Sequence, residues 1–212
     1  MIRILIADDH AVVRQGLAHI LGKQDDIKIA VSCTNGDDAL KWLHKNDCDV
    51  AIIDIAMPGM NGIDLLKQLR KEKPKLPVLI FSAYPEDQYA VRLIKAGAAG
   101  YLNKESTPEE MLSAIHNVLG GKRYISQAVA NLLANEISQP DGRLPHETLS
   151  NREYQIFLLL ASAKNLTEVA ALLKLSVKTI GTYRSRIMEK MHLHSNAELM
   201  RYAIDNQLMQ QP

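Results

Sequence analysis

Three carboxylates in this chain stand where apolar runs end. Asp8 and Asp9 follow Ile4-Leu5-Ile6-Ala7, and Asp54 follows Val50-Ala51-Ile52-Ile53. A hydroxyl, Ser82, closes the run Leu76 to Phe81, and a lysine, Lys104, comes just after Gly100 to Asn103. Acids grouped at one place repel one another and raise each other's pKa values. A divalent cation resolves this, and Mg²⁺ suits it, because it takes hard oxygen ligands and keeps several waters. With a cation on one side and Lys104 opposite, such a cluster neutralises a transferring phosphoryl group. Asp54 would then be the nucleophile that forms an acyl phosphate, with Ser82 donating to the new phosphoryl oxygens. Each residue taken alone has a plainer reading. Asp8-Asp9 could cap the first helix, Asp54 could cap its loop, Ser82 could satisfy a turn, and Lys104 could be a solvated lysine. The joint occurrence, each at the end of its own apolar run, favours the site.

These positions converge only if the runs are neighbouring strands. The predicted strands are Ile2 to Ala7, Ile27 to Ser32, Val50 to Ile55, Leu76 to Ser82 and Gly100 to Asn103. Between and after them, helical spacing of apolar residues covers Ala11 to Leu21, Asp37 to Lys45, Ile63 to Lys71, about Pro85 to Ala96, and Thr107 to about Leu119. Pro85 is expected in the first turn of its helix, where a missing N–H does no harm. Alternation of this kind predicts an α/β fold, a doubly wound five-stranded parallel sheet. Right-handed crossovers then bring the carboxyl ends of the strands to one rim, at the switch point in strand order.

Gly120-Gly121 closes this domain, predicted as residues 1–121. Residues 122–146 read as a linker with a further helix over 126–137, ending in SQPDGRLPH, which carries two prolines and a glycine. From Leu149 the spacing is all helical, and residues 147–212 form a second, all-α domain of four helices. Ser150-Asn151-Arg152-Glu153 matches a capping box. A helix from about Leu166 to Leu173 breaks at Lys174-Leu175, and Ser176 can cap a longer one to about Met191. A last helix starts near Asn196. Two helices with a tight turn, the second basic and polar on its outer face, make the helix-turn-helix pattern.

On that longer helix Val177, Ile180, Ile187 and Met191 form one stripe, expected inward. Lys178, Thr182 and Ser185 form another, flanked by Gly181 and Arg186, able to enter a major groove and read base edges. Lys178, Tyr183, Arg184, Arg186 and Lys190 are better placed for phosphates, and Thr179 belongs to the same surface. An ordinary solvated face is the alternative. Charge distribution points to an anionic partner for this half, which the helix-turn-helix pattern makes double-stranded DNA: eight Lys and Arg against five Asp and Glu give residues 149–212 a net +3, so a chain of net +1 carries −2 in front.

The chain has 212 residues, 47% hydrophobic and 23% charged, in the range of soluble globular proteins. No run approaches the roughly 18 to 20 apolar residues of a membrane span. The opening MIRILIADDH is not a signal peptide. Cys33 and Cys48 form no CxxC pattern and read as free thiols, so a cytoplasmic protein is expected.

Asp8-Asp9, Asp54 with Pro58, Ser82-Ala83 and Lys104 resemble the receiver domain of two-component response regulators over residues 1 to 120. Leu149-Ser150-x-Arg152-Glu153, Ser176-Val177-Lys178-Thr179-Ile180 and Ile187-x-Glu189-Lys190-Met191 resemble the LuxR-type helix-turn-helix. Together they look like a regulator of the NarL/FixJ family. The resemblance implies Asp54 as phosphoacceptor. It implies Asp9 and Asp54 on Mg²⁺ directly, Asp8 mainly through water, and a backbone carbonyl ligand at Ala56. It implies Ser82 and Tyr101 as a switch pair, and Lys104 as the phosphoryl contact. It further implies a sensor histidine kinase as partner, a homodimer on two half-sites, RNA polymerase as a further contact, and no enzymatic turnover beyond Mg-dependent self-phosphorylation.

Three departures stand out. Ala56 brings no polar side chain toward the phosphoryl group. Gly181 replaces a side chain that could reach DNA, at a cost of about 1 kcal/mol in helix stability. Ala163 replaces the usual glycine between the first two helices of the second domain, and Asn165 is expected to take the left-handed conformation instead. The last helix, through Leu199, Tyr202 and Ala203, is a candidate dimer surface, though core packing explains those residues equally well. Two rivals differ in class. An aspartyl-phosphate phosphatase would want its nucleophile in a DxD arrangement after strand one, whereas Asp8-Asp9 is adjacent. An interaction module would dock the basic domain on protein instead of DNA.

Overall fold

The computed structural model describes residues 1–138, 144–206 and 208–209. The chain divides into two compact units, Met1–Glu136 and Ile137–Pro212.

The first unit alternates strand and helix: β1 (Ile2–Ala7), α1 (Ala11–Leu21), β2 (Ile27–Cys33), α2 (Gly36–Leu43), β3 (Val50–Ile53), α3 (Gly62–Glu72), β4 (Val78–Ser82), α4 (Glu86–Lys95), β5 (Gly100–Asn103) and α5 (Pro108–Leu119). All strand pairs are parallel, in the order β2-β1-β3-β4-β5. Because both faces of such a sheet are covered, its central strands are continuous apolar runs instead of alternating ones. β3 and β4 are buried along their whole length. Ile4, Ile6, Val50, Ile52, Leu79, Phe81 and Leu102 pack against α1 and α5 through Leu17, Leu21, Met111, Ala114, Ile115 and Val118. Neighbouring residues on each strand point the other way, where α2 and α3 pack together.

Several boundaries differ from expectation for identifiable reasons. β3 stops at Ile53; Asp54 donates one more N–H to β1, to the Ala7 carbonyl at 2.8 Å, before the chain turns off the sheet. Pro85 is the N-cap of α4 and not part of its first turn, with φ −59° and ψ 143°. The first unit also runs past the expected boundary at residue 121. Tyr124 forms a parallel bridge with Gly100, adding one rung beside β5, and packs on the core. A further helix, α6 (Gln127–Ser138), follows and buries Val129. Of the expected linker, residues 139–143 lie outside the described residues, and Pro145–Thr148 is a 3₁₀ turn. No described helix is long and apolar enough to cross a membrane.

The second unit contains α7 (Asn151–Ala161), α8 (Leu166–Leu173), α9 (Val177–Met191) and α10 (Asn196–Asp205). Local chemistry sets each start: Ser150, Asn165, Ser176 and Ser195 all accept a hydrogen bond from a first-turn amide. Ile156, Phe157, Leu160, Val169, Ile180, Ile187, Leu199 and Ala203 form the core. Leu199 and Ala203 are fully buried, and the Tyr202 hydroxyl lies 2.9 Å from Nδ1 of the buried His146. These three residues therefore serve packing and are not a free dimer surface. Val177 is exposed instead of inward, because it is the first residue of α9 and has no turn before it to cover.

The turn after α7 also corrects an expectation. Ala163 itself is left-handed, with φ 62°, while Asn165 has φ −77° and caps α8. The N-cap role needs extended backbone, so Asn165 is not available for the left-handed position. An L side chain in that conformation costs about 1–2 kcal/mol, against about 0.5–1 kcal/mol of extra backbone entropy lost by glycine. Ala163→Gly is therefore expected to raise the unfolding free energy of the second unit by about 0.5–1 kcal/mol, read as a higher urea midpoint at unchanged slope.

Candidate functional site

Strand register brings the acids together. Ala7 pairs with Ile53, so the next residues, Asp8 and Asp54, leave the sheet side by side. β1 is also where strand order reverses, the crevice in which open α/β sheets hold ligands. α3 must approach closely here. A Cβ on Gly62 would lie 2.0 Å from the Asp54 carbonyl oxygen, so only glycine lets the helix begin against the acid's own backbone.

Asp8 and Asp54 are almost fully buried, with 2% and 3% of their surfaces exposed. Two buried carboxylates need compensation, and Lys104 supplies it. Its Nζ lies 2.7 Å from Asp8 Oδ2 and 2.9 Å from Asp54 Oδ2. The plain readings of both groups fail here. Lys104 is not a solvated lysine, and Asp8 does not cap α1, whose N-cap is His10 with no side-chain bond. Asp8 Oδ1 instead accepts the His10 N–H at 2.8 Å. Burial raises the Asp54 pKa, and Asp8 adds to the rise; Lys104 works against both and does not cancel them. Burial likewise disfavours charge on Lys104, but the two acids outweigh it and hold the ammonium above its ordinary range.

The geometry fits a cation. One ligand atom from each of Asp8, Asp9, His10 and Asp54 falls within 4.8 Å of all the others. Carboxylate oxygens are the hard donors Mg²⁺ takes. The Ile55 carbonyl is already bound by Gly62 N–H at 3.1 Å, while the next carbonyl, Ala56, accepts no hydrogen bond among the described residues. His10 was not singled out from sequence. Its Nδ1 lies 2.8 Å from Asp9 Oδ1, a placement set by the turn after β1 that no spacing pattern reveals.

The side chains of Ser82, at the end of β4, and Tyr101, the second residue of β5, meet. The Tyr101 ring is buried, and its hydroxyl donates to the Tyr84 carbonyl at 2.7 Å. Burial pushes the phenol up, although the Ser82 hydroxyl beside it acts the other way, so Tyr101 stays a donor. Ser82 Oγ also accepts the Tyr84 N–H at 3.3 Å. Tyr101 thus already sits inside.

In the second unit, α9 presents Lys178, Thr182, Ser185 and Arg186 to solvent, while Ile180, Ile187, Met188 and Met191 are buried. Thr182 and Ser185 donate to carbonyls one turn back, at 3.1 and 3.2 Å. Thr179 is tied to Ser176 in the cap. A Cβ on Gly181 would meet nothing within 4 Å, so packing in this unit does not demand the glycine. Two of the expected phosphate contacts have partners of their own. Lys190 pairs with Glu153 at 2.7 Å, joining α9 to α7, and Arg184 Nε donates to Asn196 at 2.8 Å. Tyr183 is half-buried.

Residues 4–116 match the response regulator receiver domain, and residues 147–203 match the bacterial regulatory proteins of the luxR family. The response regulator UvrY of Escherichia coli (strain K12) is 35% identical over 205 residues, covering 96% of this chain and 94% of its own. The response regulator GacA of Pseudomonas aeruginosa is 37% identical over 205 residues, covering 96% of each. A solved structure of the RcsB response regulator of Salmonella typhimurium is 25% identical with a TM-score of 0.59, covering 96% of this chain and 98% of that one.

The raised pKa of Asp54 has a consequence for stability. Above the ordinary value of 3.8 and up to its raised folded value, the folded chain holds a proton that the unfolded chain has released. Stability therefore falls as pH rises through that window. With divalent cations chelated, Asp54→Asn is expected to remove this fall and to raise the urea midpoint at pH 7, since Lys104 keeps Asp8 as its counter-ion. Denaturation curves at several pH values check it, and a fall as steep in the variant would show that Asp54 is not its source.

Proposed function

The chain belongs to the two-component response regulators of the NarL/FixJ type, with a receiver domain in front and a LuxR-type DNA-binding domain behind, and from that premise we propose that Asp54 is its phosphoacceptor. The observation that carries this is the Lys104 bridge. A buried carboxylate at the switch point faces a lysine positioned to exchange it for a phosphoryl oxygen.

A sensor histidine kinase, or a small phosphodonor, supplies the group. An Asp54 carboxylate oxygen forms a bond to phosphorus as the bond from phosphorus to the donor's leaving group breaks. Lys104 then holds the charge of the new phosphoryl group. The Ser82 hydroxyl donates to it and lets go of Tyr84. Asp8, Asp9, Asp54 and the Ala56 carbonyl would hold Mg²⁺. Bound there, it would allow the acids to stay ionised together and offset charge on the transferring group. The protein modifies itself and turns over no other substrate. In this reading the domains are 1–121 for the receiver and 147–212 for DNA binding.

The receiver face around α4, β5 and α5 repacks and biases dimerisation, so that two copies of α9 bind two half-sites of double-stranded DNA. Thr182, Ser185 and Gly181 face base edges, while Lys178, Arg186, Tyr183 and the first turn at Thr179 lie along phosphates. Lys190 and Arg184 join them only by leaving Glu153 and Asn196. RNA polymerase is the further partner of a regulator seated at a promoter. The protein works in the cytoplasm, where its kinase and its DNA are reached.

Asp54→Asn is expected to abolish Mg²⁺-dependent labelling by acetyl phosphate, followed as a mass increase of the intact chain. Retained labelling would move the phosphoacceptor elsewhere. Lys178→Ala is expected to weaken binding about equally across duplex sequences and to lower the slope of log affinity against log salt by about 1. A slope that stays the same would take Lys178 off the phosphate backbone.

A further inference from the structure

The chain between the receiver sheet and α6 is tied to the switch residues at two points. Tyr124 N–H donates to the Ala99 carbonyl at 2.9 Å, and Tyr124 bridges Gly100, the residue before Tyr101. This contact is tight. A Cβ on Gly100 would lie 2.8 Å from the Tyr124 carbonyl oxygen, so only glycine lets residues 122–126 lie against β5. Two residues on, the Ser126 hydroxyl donates to the Glu86 carboxylate. Ser126 also starts α6: its Oγ accepts the Val129 N–H at 3.3 Å, and its carbonyl accepts the Ala130 N–H at 2.9 Å.

Glu86 is the first residue of α4, two positions after Tyr84. Tyr84 is the residue whose N–H is held by Ser82 and whose carbonyl is held by Tyr101. Pro85 lies between them, and its ring fixes one backbone torsion, so movement at Tyr84 carries to Glu86 with little slack. One short path therefore runs from Ser82 through Tyr84 and Glu86 to the cap of α6, the helix with which the chain leaves the first unit. No part of the phosphoacceptor chemistry requires Ser126 or Tyr124.

We propose that the Glu86–Ser126 hydrogen bond couples the β4–α4 loop to the first turn of α6, so that drawing Ser82 to a phosphoryl group on Asp54 loosens the start of that helix. The proposal rests on Asp54 as phosphoacceptor and Ser82 as its contact. It adds a route by which the charge change leaves the receiver. Ser82 gives up the Tyr84 N–H, the loop shifts, Glu86 moves off Ser126, and the hydroxyl, held on one side only, caps α6 less well. The Tyr124 bridge keeps residues 122–126 on β5 meanwhile, so the change is confined to the helix start.

Hydrogen exchange on the full chain, with and without Mg²⁺ and beryllium fluoride as the phosphoryl mimic, tests this. In the wild type, amides of residues 127–130 are expected to exchange about fivefold faster with the mimic, the size of a lost helix cap. In Ser126→Ala they should be fast under both conditions. In Glu86→Ala the bond to Ser126 is absent under both conditions while the hydroxyl remains, so exchange without the mimic should already be as fast as in the wild type with it, and the response to the mimic should disappear. Slow exchange in Glu86→Ala without the mimic would show that this bond does not control the cap and would overturn the coupling. A response of the β4–α4 loop with unchanged or slower exchange at 127–130 would overturn the coupling and leave Asp54 in place. An undiminished α6 response in Glu86→Ala would likewise overturn it. Silence in both segments would count against Asp54 itself, and the coupling would fall with it.

Discussion

One ammonium group holds the acidic rim together. Lys104 stands between Asp8 and Asp54, two carboxylates almost wholly removed from water. Removing Lys104 would leave both carboxylates buried without compensation, a loss of about 3–5 kcal/mol. Replacing the whole cluster by apolar residues would be cheaper for folding. An arrangement that is poor for stability and kept at the switch point of the sheet is best understood by its chemistry. A lysine that already balances Asp54 can move to a phosphoryl group with little reorganisation.

The fold supplies that geometry through backbone rules more than through side chains. Parallel register makes Asp8 and Asp54 neighbours, although 45 residues separate them in the chain. Gly62 lets α3 start against the Asp54 backbone, and the chain turns off the sheet just after the acid. Ser82, Tyr84 and Tyr101 then form a compact lock at the ends of β4 and β5. Two bonds to the Tyr84 backbone and a buried phenol hold it. Glu86 and Tyr124 extend the same lock toward α6.

The second unit obeys a different logic. Its helices are short, and a short helix is marginal without packing and caps. Four side-chain caps and a core around Phe157 meet that need. The left-handed Ala163 shows that the turn between α7 and α8 is imposed by packing against local preference. Lys190 and Arg184 illustrate the same tension between roles. Both are basic and lie on the recognition helix, and both already bind within the unit. The cations of α9 available to a partner are fewer than a count of basic residues suggests: Lys178 and Arg186 are exposed and have no ion pair among the described residues.

Much was legible in the chain alone. Apolar runs located all five strands, four of them ending in the acids, the hydroxyl or the lysine, and periodicity located the helices that cover them, because burial on both faces and a helical repeat are local properties of composition. Asp54, Asp8, Asp9, Ser82 and Lys104 were singled out from the same ends, and the structure brings Asp54, Asp8 and Lys104 into contact. What the sequence could not supply was every relation between separated residues. It did not show that Lys104 is shared by two acids, that His10 turns onto Asp9, or that Tyr101 already sits inward on the Tyr84 carbonyl. Nor did it show that Tyr124 lies on β5, that Lys190 belongs to Glu153, or that Ala163 and not Asn165 is left-handed. Each is set by which surfaces meet once the sheet has twisted and the helices have packed. A pattern along one chain records how a residue sits in its own element, and only tertiary structure decides what that residue then faces.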